Sequence, residues 1–381
     1  MVSLEHYVGR EQSYVKHVFL ESYLERLVHK VASRYSHVVY VDGFAGPWQS
    51  ANEQFEDTSF GIALNALRRA KASWKEQHRD VQMTAYLVER DEDSYKQLAT
   101  IQSPFPDITV RTYNEDFLTV LPEILKDIPG DAFAFFLLDP KGWRIPLKKM
   151  EGLLQRQHSE VIFNFMFEFI NRAVSIKDAQ IEAGLNELIP VGDWKLGLQD
   201  AEPARRKTII VNAFAQSLKT LGNYDYVAET TVLRSVKDRP LYCLFYATRH
   251  PKGIEVFRDC QIAALREESK TRAATKIKHA ISESGQSEMF DSLHDMALDK
   301  LESFLTSECT DAERTLLLLV PKAPSYIRYE NLQAQVMARH VIRFTDVNKI
   351  ATRLYKEKKL LFPDWEAGKR KPQPDYRTQR P

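Results

Sequence analysis

Hydrophobic positions recur in two periods along this chain. Over residues 13–34, SYVKHVFLESYLERLVHKVASR, the apolar Val15, Val18, Phe19, Tyr23, Leu27 and Val31 return at helical spacing with Lys, Glu and Arg between them, which predicts an amphipathic helix. From residue 37 the pattern changes to short, nearly continuous apolar runs bounded by turn residues. Residues 37–42, MTAYLVER (83–90), ITVRTYNED (108–116), AFAFFLLDP (132–140) and EVIFNFMF (160–167) predict five strands. Helices are predicted between them, near 60–79 and over DSYKQLATI, FLTVLPEILKDI and LKKMEGLLQR. Strands alternating with helices predict the α/β class, with a doubly wound, mostly parallel sheet. Right-handed crossovers then bring the C-terminal strand ends to one edge, where a ligand binds.

A mostly helical insertion, about 170–221, is predicted after the fifth strand. YDYVAETTVLRSV and PLYCLFYATRH, joined by KDRP, predict a hairpin that closes the sheet with an antiparallel strand. The main domain is therefore expected over 1–265. Near 266 the charged REESKTRAATKIKHAISES predicts a helical connector (266–300) into a C-terminal module (301–381).

That module contains YENLQAQVMARHVIRFTDVNKIATRLYKEKKLLF, which reads as helix, turn, helix and a short strand. Thr345 or Asp346 is the expected cap of the second helix, and Val347, Ile350, Ala351 and Leu354 its apolar face. From Arg353 onward nine Lys/Arg stand against four acids, a local excess of +5. The pattern predicts a winged-helix-like module, either gripping a phosphate backbone or serving protein interaction and packing. KTRAATKIKH would extend the basic surface.

Composition narrows the picture. The 381 residues are 44% hydrophobic and 28% charged with a net charge of +1, so any nucleic-acid contact must come from a local patch. Cys243, Cys260 and Cys309 are odd in number and lack metal-ligand spacing, which argues for small buried apolar residues rather than a disulfide framework. The first residues, MVSLEHYVGREQSYVKH, form no apolar leader core and no run reaches membrane-spanning length. A cytoplasmic location is expected, with no membrane partner.

The chemistry concentrates at strand ends. Asp42, Glu89, Asp116 and Asp139 each lie at the C-terminal end of a predicted strand. Singly each reads as a capping acid; together they suit a nucleoside cofactor. In VVYVDGFAGPW (38–48), Gly43 to Gly46 form a turn that lets backbone approach a ligand. Glu89 can accept from ribose hydroxyls, and Asp116 from an exocyclic amine such as adenine carries. Asp139, in LLDPKGW, lies where the reacting group should be. A phosphate-binding GxxxxGK[ST] or full GxGxxG is missing, and Asp42 would repel a pyrophosphate. An acid there favours a cofactor with ammonium and sulfonium groups, S-adenosylmethionine. Asn164 and Glu168 mark the fifth strand's end; a buried Asn there needs a partner and either braces the catalytic loop or faces substrate.

VYVDGFAGPW, FFLLDPKGW and VIFNFMF, with the preceding VKHVFLESYLERL, resemble the three-Cys-motif partner protein family, TcmP, as does IRYENLQAQVMARHVIRFTDVNKIATRLYKEKKLL near the C-terminus. That family is similar to Rossmann-fold S-adenosylmethionine-dependent methyltransferases and is named for a neighbouring three-cysteine protein. The resemblance implies that Asp42, Gly43, Phe44 and Gly46 form the methionine-side turn, that Glu89 meets the ribose and that Asp116 meets the adenine. Lys16 resembles a basic residue placed near the cofactor carboxylate in some amino-methyltransferases; alternatively it is a solvated helix lysine. Asp139, Pro140, Gly142 and Trp143 match the position of an Asp-Pro-Pro-Tyr-like motif that receives an exocyclic amine and stacks an extruded base. Lys141 stands where that motif has its second proline, and Trp48 where the turn usually has glycine. Trp48 and Trp143 serve either packing or stacking. The expected activity is methyl transfer to DNA or RNA. The alternatives are a small-molecule acceptor, or a non-catalytic module holding nucleic acid or the three-cysteine partner.

Overall fold

The computed structural model describes residues 7, 11–46, 50, 55–102, 105–140, 142–198, 201–234, 239–284 and 291–381. Trp48, Lys141 and the first two residues of the KDRP link lie outside the described residues. By its internal packing the chain forms two units, Met1–Arg249 and His250–Pro381.

The first unit runs α1 (Glu11–Ala32), β1 (His37–Asp42), α2 (Ser59–Glu76), β2 (Gln82–Val88), α3 (Glu92–Leu98), β3 (Thr109–Tyr113), α4 (Phe117–Asp127), β4 (Phe133–Leu138), α5 (Glu151–Leu154) and β5 (Ser159–Phe165). It continues through α6 (Phe167–Ala173), α7 (Ala179–Leu188) and α8 (Pro203–Gly222) into the hairpin β6 (Tyr226–Leu233) and β7 (Pro240–Thr248). The strands make one seven-stranded sheet in the order β3-β2-β1-β4-β5-β7-β6. All neighbours pair in parallel except β7, which is antiparallel to both β5 and β6. This is the expected doubly wound, mostly parallel, Rossmann-like α/β sheet.

Burial explains the pattern that predicted it. Every residue of β4 and β5 is buried, as befits parallel strands covered on both faces. The edge strand β6 instead alternates buried and half-buried positions. The helical insertion is α6, α7, the 3-10 turn Trp194–Leu198 and α8. From β1 the chain winds outward to β3, then returns to lay β4 beside β1, so the topological switch point lies between β1 and β4.

One buried polar network fixes α1 over the sheet. Glu160 of β5 accepts from Tyr23 Oη of α1 at 2.6 Å and from Thr248 Oγ1 of β7 at 2.9 Å. Burial raises the Glu160 carboxyl above its ordinary range. Lys16 lies seven residues before Tyr23, on the same helix face.

The second unit contains α9 (Pro251–Ser284), α10 (Asp291–Leu319), β8 (Ile327–Arg328), α11 (Tyr329–Arg339), α12 (Phe344–Lys356) and β9 (Arg377–Thr378). The boundary expected at 265/266 falls inside α9; 266–284 lie in α9 and 291–300 in α10, two long helices that pack on each other, with Arg266 Nη2 2.9 Å from Glu302 Oε1. Helix, turn and helix follow as expected, and β8 pairs antiparallel with β9. Val347, Ile350, Ala351 and Leu354 are buried. Neither Thr345 nor Asp346 caps α12: Arg343 holds the cap position, and both expected caps lie inside the first turn. There Asp346 complements the helix dipole and pairs with Lys349 at 2.8 Å. The α11–α12 corner is locked by Asn348 Oδ1, which accepts from Tyr329 Oη and Gln333 Nε2. Of the cysteines, Cys243 and Cys260 are buried, as expected, and Cys309 is half-buried.

Candidate functional site

The turn after β1 is held open at the switch point by backbone bonds to both neighbouring strands. Gly43 N donates to Leu137 O at 3.1 Å, and Ala45 N to Val88 O at 2.8 Å. A Cβ built at Gly43 would sit 3.0 Å from the Phe117 ring, so ring or turn would have to give by a few tenths of an ångström. Phe44 also meets Phe117, ring centroids 5.7 Å apart. The glycine therefore lets the β1 turn lie directly against the start of α4.

In front of this turn opens a cleft of about 910 Å³ walled by the ends of β1, β2, β3 and β4, within the size of pockets that take a nucleotide-sized ligand. Of the described residues the sequence singles out, Gly43, Phe44, Glu89, Asp116, Pro140, Gly142 and Trp143 line it; Lys16, Asp42, Gly46, Asp139, Asn164 and Glu168 do not.

Glu89 is 5% exposed, and its Oε1 accepts from Asp91 N at 2.7 Å. Asn114 Nδ2 donates to the carbonyls of Glu89 and Arg90, tying the loop after β2 to the end of β3. Asp116 caps α4: its Oδ1 accepts from Leu118 N at 2.9 Å. Its Oδ2 is 3.8 Å from Arg90 Nη1, and half the side chain faces solvent. Gly142 takes φ +121°, a conformation that favours glycine, and turns Trp143 back onto α7. A Cβ on Gly184 of that helix would lie 3.1 Å from the Trp143 ring. Trp143 is thus half-buried between cleft and insertion.

The walls are acidic. Glu89, Asp91, Glu92, Glu115 and Asp116 face Arg90 and Arg144 as the charged lining groups among the described residues, an excess of three negative charges.

A second polar group sits one residue behind the wall formed by Pro140. Lys16 Nζ lies 2.5 Å from Asp139 Oδ2, with side chains 18% and 20% exposed. Asn164 Nδ2, from β5, donates to the other oxygen, Oδ1. Lys16 therefore pairs with Asp139 instead of standing free in solvent. Asn164 braces the loop after β4, one of its two expected roles. Glu168 is buried and pairs with Arg234 at 2.5 Å.

Asp42 is fully buried and faces inward. Its Oδ1 accepts from Phe44 N at 3.0 Å, and its Oδ2 from Tyr40 Oη at 3.0 Å and Ser59 Oγ at 2.7 Å. Burial pushes its carboxyl up to about 6 against the lowering effect of these three bonds, and the charge of Asp139 adds to the rise. The resemblance assigned Asp42 to the ligand-facing turn; its acceptors hold that turn together.

Sequence reading missed Asn114, Arg90 and Phe117. The signal for Asn114 was present in YNED, an amide just past a strand end. Phe117 looked like the first apolar residue of a helix, and only the approach of Gly43 gives it a second role. Among the described residues no cluster of His, Cys, Asp and Glu could hold a metal ion, and no helix is long and apolar enough to cross a membrane.

No family model matches the chain, and no curated protein matches it. Among solved structures, it is similar to protein LPL1258 of Legionella pneumophila, described as DUF519, at 12% identity and TM-score 0.38, covering 63% of this chain and 88% of that one. It is similar to a loganic acid methyltransferase with SAH at 7% identity and TM-score 0.30, covering 79% and 90%. A third, the YcgJ protein of Bacillus subtilis, aligns at 11% identity and TM-score 0.25, covering 59% and 95%.

Proposed function

We propose that the cleft takes S-adenosylmethionine and that the chain, a three-Cys-motif partner protein, transfers methyl groups to an exocyclic amine of a nucleic-acid base. The observation that carries this reading is the charge of the cleft. A switch-point crevice with three excess negative charges on its walls opposes a dinucleotide pyrophosphate and favours a cofactor bearing sulfonium and ammonium groups. Glu89, pinned by Asp91 N, would hold the ribose. Asp116 Oδ2, 3.8 Å from Arg90 Nη1, would turn to the adenine amine, and the Gly43–Phe44 turn with Gly46 would border the methionine part. When bound, this group supplies an electrophilic methyl. Asp139, Pro140 and Trp143 would hold the acceptor.

The second unit supports a nucleic-acid acceptor. Its two helices and β8–β9 pair fit a winged-helix-like module, and Lys356, Lys358, Arg370 and Lys371 carry no ion pair among the described residues.

Calorimetric titration with S-adenosylmethionine and, separately, with NAD tests the cofactor. Saturable binding of the first alone is expected, weakened about tenfold or more in Glu89→Gln, which keeps the Asp91 bond but loses the charge. Equal binding of NAD, or none of S-adenosylmethionine at millimolar concentration, would overturn the reading. One observation favours a second reading, a non-catalytic module that serves the three-cysteine partner: both oxygens of Asp139 are already engaged. Asp139→Ala separates the two, because an enzyme loses turnover and keeps the cofactor, whereas a binding module keeps its partner interaction.

A further inference from the structure

We infer that Asn164 selects the acceptor, its Oδ1 receiving an N–H of an incoming amino group beside Asp139; this rests on the methyltransferase reading above. Asn164 is 4% exposed, in a strand whose seven residues are all buried. Its Nδ2 donates to Asp139 Oδ1, and this bond fixes the amide, since the flipped orientation would set two acceptors against each other with no proton between them. The amide oxygen is therefore the atom left over. It is buried and has no hydrogen-bond partner among the described residues.

A buried acceptor without a donor is costly, and an apolar residue of similar shape would avoid the cost. Its neighbours in the strand, Phe163 and Phe165, are apolar and buried. The orphan lies beside a carboxylate whose two oxygens each hold one donor, Lys16 on Oδ2 and Asn164 on Oδ1, so each retains capacity for another. It is also beside the chain segment that enters the cleft at Pro140. Two neighbouring acceptors, one amide and one carboxylate, match a group that offers two protons from a single atom. An amino group does so; a hydroxyl, with one proton, leaves one acceptor unmet. The amino group of a nucleic-acid base thus fits the site better than a sugar hydroxyl or a ring carbon.

The test measures binding. With S-adenosylhomocysteine present, fluorescein-labelled RNA nonamers are titrated by anisotropy in two matched pairs, central adenosine against purine riboside and central cytidine against its des-amino analogue. Wild-type protein is expected to bind the amino member of at least one pair about tenfold or more tightly. Asn164→Leu and the smaller Asn164→Ser are both expected to reduce that preference to about threefold or less while S-adenosylhomocysteine affinity is unchanged. Equal affinity within both pairs for wild type, no RNA binding at all, or undiminished preference in both variants overturns the role of Asn164. A wild-type protein that fails to bind S-adenosylhomocysteine overturns the cofactor reading instead.

Discussion

Lys16 and Asp139 stand 123 residues apart in sequence and 2.5 Å apart in space. A lysine on the first helix meets an acid just past the end of β4, with both side chains no more than a fifth exposed. The Tyr23–Glu160 anchor holds α1 in register for this pairing. Burial of this degree sets the pair between an exposed ion pair and a fully buried one. A double-mutant cycle with Lys16→Met and Asp139→Asn, followed by urea unfolding, is expected to give a coupling of about 1–2 kcal/mol. A coupling within error of zero would show that the two side chains are independent in solution.

Asp42 predicts how stability varies with pH. Its folded carboxyl is raised to about 6 from 3.8, chiefly by burial. Below the unfolded value both states are protonated and the acid costs nothing. As pH rises toward 6 the unfolded chain releases its proton first, so folding loses stability, on the order of 3 kcal/mol for a shift of this size. Asp42→Asn removes the titration while Tyr40 and Ser59, whose hydroxyls rotate, can still bond the amide. The stability of Asp42→Asn relative to wild type should therefore grow between about pH 4 and 6 and level off above. A pH-independent difference across that window would contradict the burial of an ionisable group at 42.

The contact between Gly43 and Phe117 makes a prediction that needs no ligand. Gly43→Ala drives a methyl to 3.0 Å from a buried ring, an overpacking expected to cost about 1–3 kcal/mol. Phe117→Leu vacates part of that space at its own cost. Together they should destabilise less than their sum. Strict additivity in thermal unfolding would mean that the turn relaxes away from α4.

Much of the first unit was legible because parallel strands buried on both faces must be apolar runs, as FAFFLL shows, and because the acids that follow mark strand ends. Right-handed crossovers brought the C-terminal strand ends to one edge, and the short KDRP link marked the antiparallel hairpin. The strand order itself was not legible, because it depends on which strands pair far along the chain. What the residues alone could not carry was which atoms each acid faces. Asp42 and Asp139 look equivalent in sequence, yet one folds inward onto Tyr40 and Ser59 and the other meets Lys16 and Asn164. That difference depends on partners far along the chain. The α12 start was misread for a local reason. Thr345 and Asp346 are good capping residues, but the helix already begins at Phe344, and the cap position falls to an arginine with no side-chain bond to give.

The basic tail of the second unit looks stronger in sequence than in space. Arg353 is taken by Glu313 and Glu357, Lys359 by Glu357, Lys369 by Glu366, and Arg377 by Asp364. Arg380 is turned onto Val320 O at 2.8 Å, which leaves Lys356, Lys358, Arg370 and Lys371 to meet phosphates, so the useful excess rests on these four. If they do, each released counterion contributes to the salt dependence of RNA affinity, about 0.7 in slope per phosphate for a single strand. Replacing all four with Gln should flatten the plot of log affinity against log salt by at most about 3 and leave S-adenosylmethionine binding by the first unit unchanged. Replacing the paired Lys359 and Lys369 instead should change the slope by less than about 1, because their charge is already balanced by glutamates. A quadruple variant with the wild-type slope would remove this tail from the nucleic-acid surface, and the module would then stand as a packing or protein-binding one.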